Sequence, residues 1–144
     1  MQIETARTIL GYVKQHEDLS DARLRASRYD WMYMTMEKCI VIAVEYTEEE
    51  KEFNKWLVQY LNETYDCNFK YEHMEIFSLL HEVGHHVMGS ICTDEEYYML
   101  YSQIGPNDNY AYRQIPDEKL ADSFAVGFME EHLGNILELL EESL

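Results

Sequence analysis

Apolar residues return every three or four positions along most of this chain, and their unbroken runs are short. Ile3, Ala6, Ile9, Leu10 and Val13 predict a helix over about Gln2 to Glu17. Asp18 to Ser27 is polar and charged and reads as a loop or a second short helix. Cys39-Ile40-Val41-Ile42-Ala43-Val44 is the longest continuous run, largely β-branched and bounded by charge, which predicts a buried strand. Trp31 to Met36 is expected to pair with it as an antiparallel partner. Thr47 and Glu50 have capping-box spacing, opening a helix that carries Phe53, Trp56, Leu57, Tyr60 and Leu61 and ends near Asp66 to Asn68. From about Tyr71 to Ser90, the positions of Ile76, Leu80, Val83 and Val87 form a buried helical stripe. Thr93 or Asp94 caps a shorter helix from Glu95 to about Gln103. Gly105 to Asn109 is the clearest loop. Pro116 and Asp117 then open a helix through Leu120, Phe124 and Phe128, and a last amphipathic stretch runs from Asn135 to Leu140. These elements predict a helix-dominated α+β fold with a small antiparallel sheet, in a single domain over residues 1–144.

Charge narrows the partners. The chain has 28 acidic and 11 basic residues, a net charge of −17. Such a surface repels nucleic-acid phosphates and anionic membranes, so direct nucleic-acid or membrane binding is not expected, and a basic protein partner suits it. Its acids cluster at Glu45–Glu52, Asp94–Glu96 and Glu130–Glu142, which read as solvated helix faces. No apolar run approaches the roughly 20 residues of a membrane span. The first residues, MQIETARTIL, lack the basic start and apolar core of a signal peptide, so the cytoplasm is the expected compartment. Cys39, Cys67 and Cys92 are odd in number and far apart, which suggests buried free thiols and neither a disulfide framework nor a thiolate metal site.

The chemistry is concentrated in His81-Glu82-Val83-Gly84-His85, inside the strongest predicted helix. Residues four apart share a helix face, so both imidazoles can bind one metal ion, zinc being the expected one. Glu82 is turned by one residue, where its carboxylate can act as general base on water activated by the metal. Gly84 is read as leaving space on the helix face behind the site. A third protein ligand is still needed. Met88 and Ile91 stand where the longer HExxHxxGxxH pattern has its Gly and third His, so that ligand must come from elsewhere. Glu118 is the best candidate. Asp122 lies four residues on and can accept the free N–H of a ligating His. Two His and one Glu form a known catalytic zinc set with one open position.

These residues resemble the gluzincin-like metallopeptidases, and more narrowly the ImmA/IrrE type of small bacterial and phage-borne proteins. In that family a helix of the form LxHExGH is followed by one of the form ExxANxFAxxxLM. The matching stretches are Leu79 to His86 and Glu118 to Met129, and the resemblance covers about Phe77 to Met129. It implies a zincin-like minimal metallopeptidase domain with zinc bound by His81, His85 and Glu118, and Glu82 catalytic. It further implies a selective endopeptidase acting on a specific protein, such as a DNA-binding regulator of a mobile element. Asp122 stands where the family more often has Asn, and the proline that usually stands just after the LM of the second helix is missing, since Glu130 and Glu131 follow Met129. The first 70 residues match no named pattern.

Other readings compete. A non-catalytic metal-binding interaction protein of the same fold would need no turnover, although the retained Glu82 argues against it. An acidic nucleic-acid mimic would use the charge and ignore the motif. Among the remaining candidates, His86, His73, His16 and His132 are expected in structural or surface roles. Tyr97, Tyr98, Tyr101, Tyr110 and Tyr112 lie between the two site helices, and one of them, or Arg113, could stabilise an oxyanion.

Overall fold

A computed structural model describes residues 1–144. Six α-helices dominate, with a three-stranded sheet near the start. Helix α1 (Ile3–Val13) buries Ala6, Ile9, Leu10 and Val13, the face expected from their spacing. Three strands follow: β1 (Arg23–Ser27), β2 (Met32–Met34) and β3 (Cys39–Ala43). The sheet order is β1-β3-β2, with β2 antiparallel and β1 parallel to β3. The sheet is therefore mixed and not antiparallel, and the stretch expected to be loop or helix contains its third strand. The cause is β3, whose five residues are all buried. A strand so apolar needs hydrogen-bonding partners on both edges, and Arg23 to Ser27 supplies the second.

Helix α2 (Glu48–Tyr65) starts where Thr47 accepts a hydrogen bond from the Glu50 amide and ends at Asp66 in a left-handed conformation. The expected capping box is half formed, since Glu50 does not reach back to the Thr47 amide. A 3₁₀ turn at Tyr71–His73 leads into α3 (Met74–Met88). His73 is buried there and its Nδ1 accepts the Lys70 amide, so it neither lies on the surface nor lines a cleft. Helix α4 (Asp94–Ser102) has the full Thr93/Glu96 capping box, yet none of its residues is buried. A short helix, α5 (Asn109–Gln114), precedes α6.

Helix α6 (Pro116–Glu142) is one element of 27 residues, not two segments. Gly134 meets open space, so it costs only its helix propensity of about 1 kcal/mol, and the flanking packing carries the helix through. Its buried face also differs from the expected one. Phe128 is buried as expected, but Leu120 and Phe124 are half-buried, while Glu118, Ala121, Asp122, Ala125 and Met129 are buried. His132 is buried rather than exposed: its Nδ1 accepts the Tyr12 hydroxyl at 2.7 Å, which ties α6 to α1. His16 is exposed, as expected. Of the thiols only Cys39 is buried; Cys67 and Cys92 are half-exposed. No helix is long and apolar enough to cross a membrane.

Helices α3 and α6 are the centre of the fold. Phe77, Leu80 and Val83 of α3 meet Ala125 and Met129 of α6 in one core that also gathers α1, α2 and Ile40 and Ile42 of the sheet. Gly84 sits at the contact. A Cβ there would stand 3.0 Å from the Ala121 carbonyl oxygen and 3.2 Å from the Phe124 ring. The space behind the motif is thus filled by α6 itself.

Replacing Gly84 by Ala gains about 1 kcal/mol of helix propensity but presses a methyl against helical backbone, which costs roughly 1–3 kcal/mol. We expect Gly84→Ala to be net destabilised and Gly84→Val more so, read as a lower urea midpoint at constant slope. An unchanged midpoint for the Val variant would show that α3 and α6 are free to separate.

Candidate metal centre

The two expected pairs of residues come together because α3 and α6 present matching i,i+4 faces. His81 Nε2 lies 3.0 Å from Glu118 Oε1, and His85 Nε2 lies 3.2 Å from both His81 Nε2 and Glu118 Oε1. Bonds of about 2.0–2.1 Å around a tetrahedral zinc place neighbouring donor atoms about 3.3 Å apart. The three donors therefore have the spacing and the N,N,O chemistry that one such ion requires, and they form a cluster able to hold a metal.

Asp122 lies behind His81, its Oδ1 2.7 Å from His81 Nδ1. A carboxylate only accepts, so Nδ1 carries the proton and Nε2 faces Glu118. Asp122 is itself gripped by Arg113, whose Nε reaches Oδ2 at 2.8 Å and whose Nη2 reaches Oδ1 at 2.6 Å. The Arg113 guanidinium lies 5.7 Å from the Phe77 ring centre and 5.9 Å from that of Phe53. All of this is buried: Asp122 has no exposed surface and Arg113 only 5%.

These contacts set the charges. Burial alone would depress the His81 imidazolium, but its bonds to Asp122 and Glu118 overcome this and push its pKa up to about 9. Burial works the other way on Glu118 and Asp122, and the same hydrogen bonds, with Arg113 at Asp122, hold both below the usual carboxylate range. Glu82 is different. Burial raises its pKa, and its carboxylate accepts no protein hydrogen bond. It is 6% exposed and lines a cleft of about 1040 Å³ beside His85 and Glu118.

Two tyrosines complete the centre. Tyr112 donates to Glu118 Oε1 at 2.9 Å and Tyr97 to Oε2 at 3.1 Å. They were two of five candidates between the helices. Of the rest, Tyr98 and Tyr101 line the cleft without reaching the donor cluster, and Tyr110 does not line it. His86 is structural: Nε2–H donates to the Ser20 carbonyl and Nδ1 accepts the Tyr33 hydroxyl at 2.8 Å. The Tyr33 ring stacks on His85. Arg113 is thus a clamp on Asp122, a role its position in the sequence did not suggest. The available signal was its isolation, since it is the only arginine after Arg28.

No family model matches the chain, and no curated protein or solved structure is similar enough to match it.

Removing Asp122 leaves a buried guanidinium without its partner, and breaking a buried pair in this way costs about 3–5 kcal/mol. We expect Asp122→Ala, measured without metal, to lose that much stability in denaturant unfolding. A loss below about 1 kcal/mol would mean that Arg113 finds water when Asp122 is gone.

Proposed function

We propose that this protein is a zinc-dependent peptidase of the HExxH type, akin to the ImmA/IrrE metallopeptidases in its two site helices. The observation that carries the reading is Glu82: a residue only 6% exposed, whose carboxylate no protein group hydrogen-bonds and which opens into the cleft beside three converging donors. A carboxylate whose pKa burial raises, and which faces a cleft, is placed to exchange a proton with what the cleft holds.

His81, His85 and Glu118 would hold the ion. Zinc, when bound, supplies Lewis acidity that makes water a nucleophile near neutral pH. Glu82 then has a defined task. Its raised pKa suits a group that takes a proton from water and returns it to the departing amine. Asp122 holds His81 in the tautomer whose Nε2 faces the other donors, and Arg113 keeps Asp122 ionised and in place. Tyr97 and Tyr112 hydrogen-bond the Glu118 carboxylate and line the cleft, so either hydroxyl is within the site to donate to a developing oxyanion. The substrate is a protein or peptide, and a DNA-binding regulator fits both the family likeness and the charge of the chain.

Elemental analysis of purified protein should find about one zinc per chain, lost in His81→Ala and Glu118→Ala. Glu82→Gln should keep the zinc and lose about 10²–10⁴-fold in cleavage of a susceptible protein. Zinc retained with undiminished cleavage in that variant would sink the mechanism. Zinc bound by a wild-type protein that cleaves nothing would favour the metal-binding interaction protein instead.

Protons compete with the metal. The raised His81 pKa stabilises the metal-free fold fully below its unfolded value of about 6.5, and that contribution is lost as pH climbs through about 9. Zinc needs the neutral imidazole, so its binding strengthens over the same window. We expect the rise in Tm caused by a fixed zinc excess to grow from pH 6.5 to pH 9 in calorimetry. A shift that stayed flat or shrank would contradict this competition.

A further inference from the structure

The cleft beside Glu82 is charged in one direction. Glu17, Asp18 and Asp21, from the connection between α1 and β1, line it together with Asp94 at the start of α4. Asp18, Asp21 and Asp94 are exposed. The one lysine among the lining residues, Lys38, lies 3.7 Å from Asp21 and offsets a single charge. Deeper in, Glu118 and Glu82 together balance the charge of one divalent ion, so the surplus at the rim is not cancelled from within.

The rim also carries aromatic faces. Tyr98 and Tyr101 of α4 line the cleft and are 70% and 54% exposed. Carboxylates and tyrosine faces side by side suit a guanidinium or ammonium, since the ring quadrupole and the carboxylate both attract a cation. Glu82, buried and without a hydrogen-bond partner, opens into the same space, as expected of a cleft that receives a ligand. At about 1040 Å³ the cleft lies at the upper end of the roughly 300–1,000 Å³ typical of small-ligand sites, which leaves room for a stretch of polypeptide.

We propose that this cleft receives a polypeptide segment of a basic protein, with arginine or lysine side chains held by the rim carboxylates and tyrosines. This rests on the peptidase reading only in taking the Glu82 cleft as the working face. The selection is electrostatic, so it weakens with salt over the Debye length of about 8–10 Å.

The test uses two fluorescein-labelled decapeptides of one sequence, with arginine or glutamine at four positions. Binding to the full chain is followed by fluorescence anisotropy, with zinc and after chelation. One variant combines Glu17→Gln, Asp18→Asn, Asp21→Asn and Asp94→Asn. Asp21 has φ of 64°, and asparagine tolerates that left-handed backbone. A control removes four exposed charges of α6, at Glu131, Glu138, Glu141 and Glu142, each to glutamine. Both variants are checked by circular dichroism.

We expect the arginine peptide to bind roughly tenfold tighter than the glutamine peptide at low salt, from solvent-accessible pairs with the rim acids of modest strength each. The rim variant should erase that preference, and the control should keep it. Equal binding of the two peptides, or equal weakening by both variants, would overturn the proposal and leave only a general attraction to an acidic protein. Arginine preference in a protein that cleaves nothing would uphold the cleft and remove the peptidase reading. Cleavage without that preference would do the reverse.

Discussion

The centre of this molecule depends on one fully buried carboxylate. Asp122 touches Arg113 with both oxygens and His81 with one. Without the arginine it would be an uncompensated charge in the core, and without the imidazole its geometry would be undirected. With both, it becomes a rigid peg between α3, α5 and α6, and through the aromatic rings beside Arg113 it also reaches α2. The donor triangle in front of it inherits that rigidity. His81 cannot turn, and its Nε2 points where His85 and Glu118 also point.

The part of this arrangement that is local in sequence is legible from sequence. His81 and His85, and likewise Glu118 and Asp122, are four apart, and helix geometry alone sets each pair on one face. Meeting across the gap between the helices requires only that both faces be buried. Arg113 obeys no such rule. It lies on a six-residue helix without periodic pattern, and its partner is chosen by the tertiary fold. Strand β1 was hidden for a similar reason. Arg23 and Arg25 give it polar character, and its parallel pairing with β3 is a long-range choice that local propensity does not report. The face of α6 was only partly legible: Phe128 is buried as its spacing predicts, but in the first turns burial follows Glu118 and Asp122 and leaves Leu120 and Phe124 half-buried.

The first 70 residues, which match no named pattern, are not a detached extension. Tyr33 lies along His85, its hydroxyl holds His86, and His86 in turn reaches Ser20. Phe53 stands beside Arg113. The sheet and α2 thus brace the two site helices from outside, while α1 is bound to the far half of α6 through Tyr12 and His132. The two-helix core alone would lack these supports for its imidazoles.

Helix α4 stands apart from this bracing. It is capped well at its start, yet buries nothing, and Tyr97 is its hydrogen-bonded link to the donor cluster. Little apolar surface is exposed if it lifts, so its opening free energy lies far below that of α3 or α6. Its amides should therefore exchange with solvent deuterium through local excursions, while those around His81 wait for global unfolding. That wall of the cleft is thus the part of the site least anchored by the core, and the hydrogen bond from Tyr97 to Glu118 ties it to the buried floor.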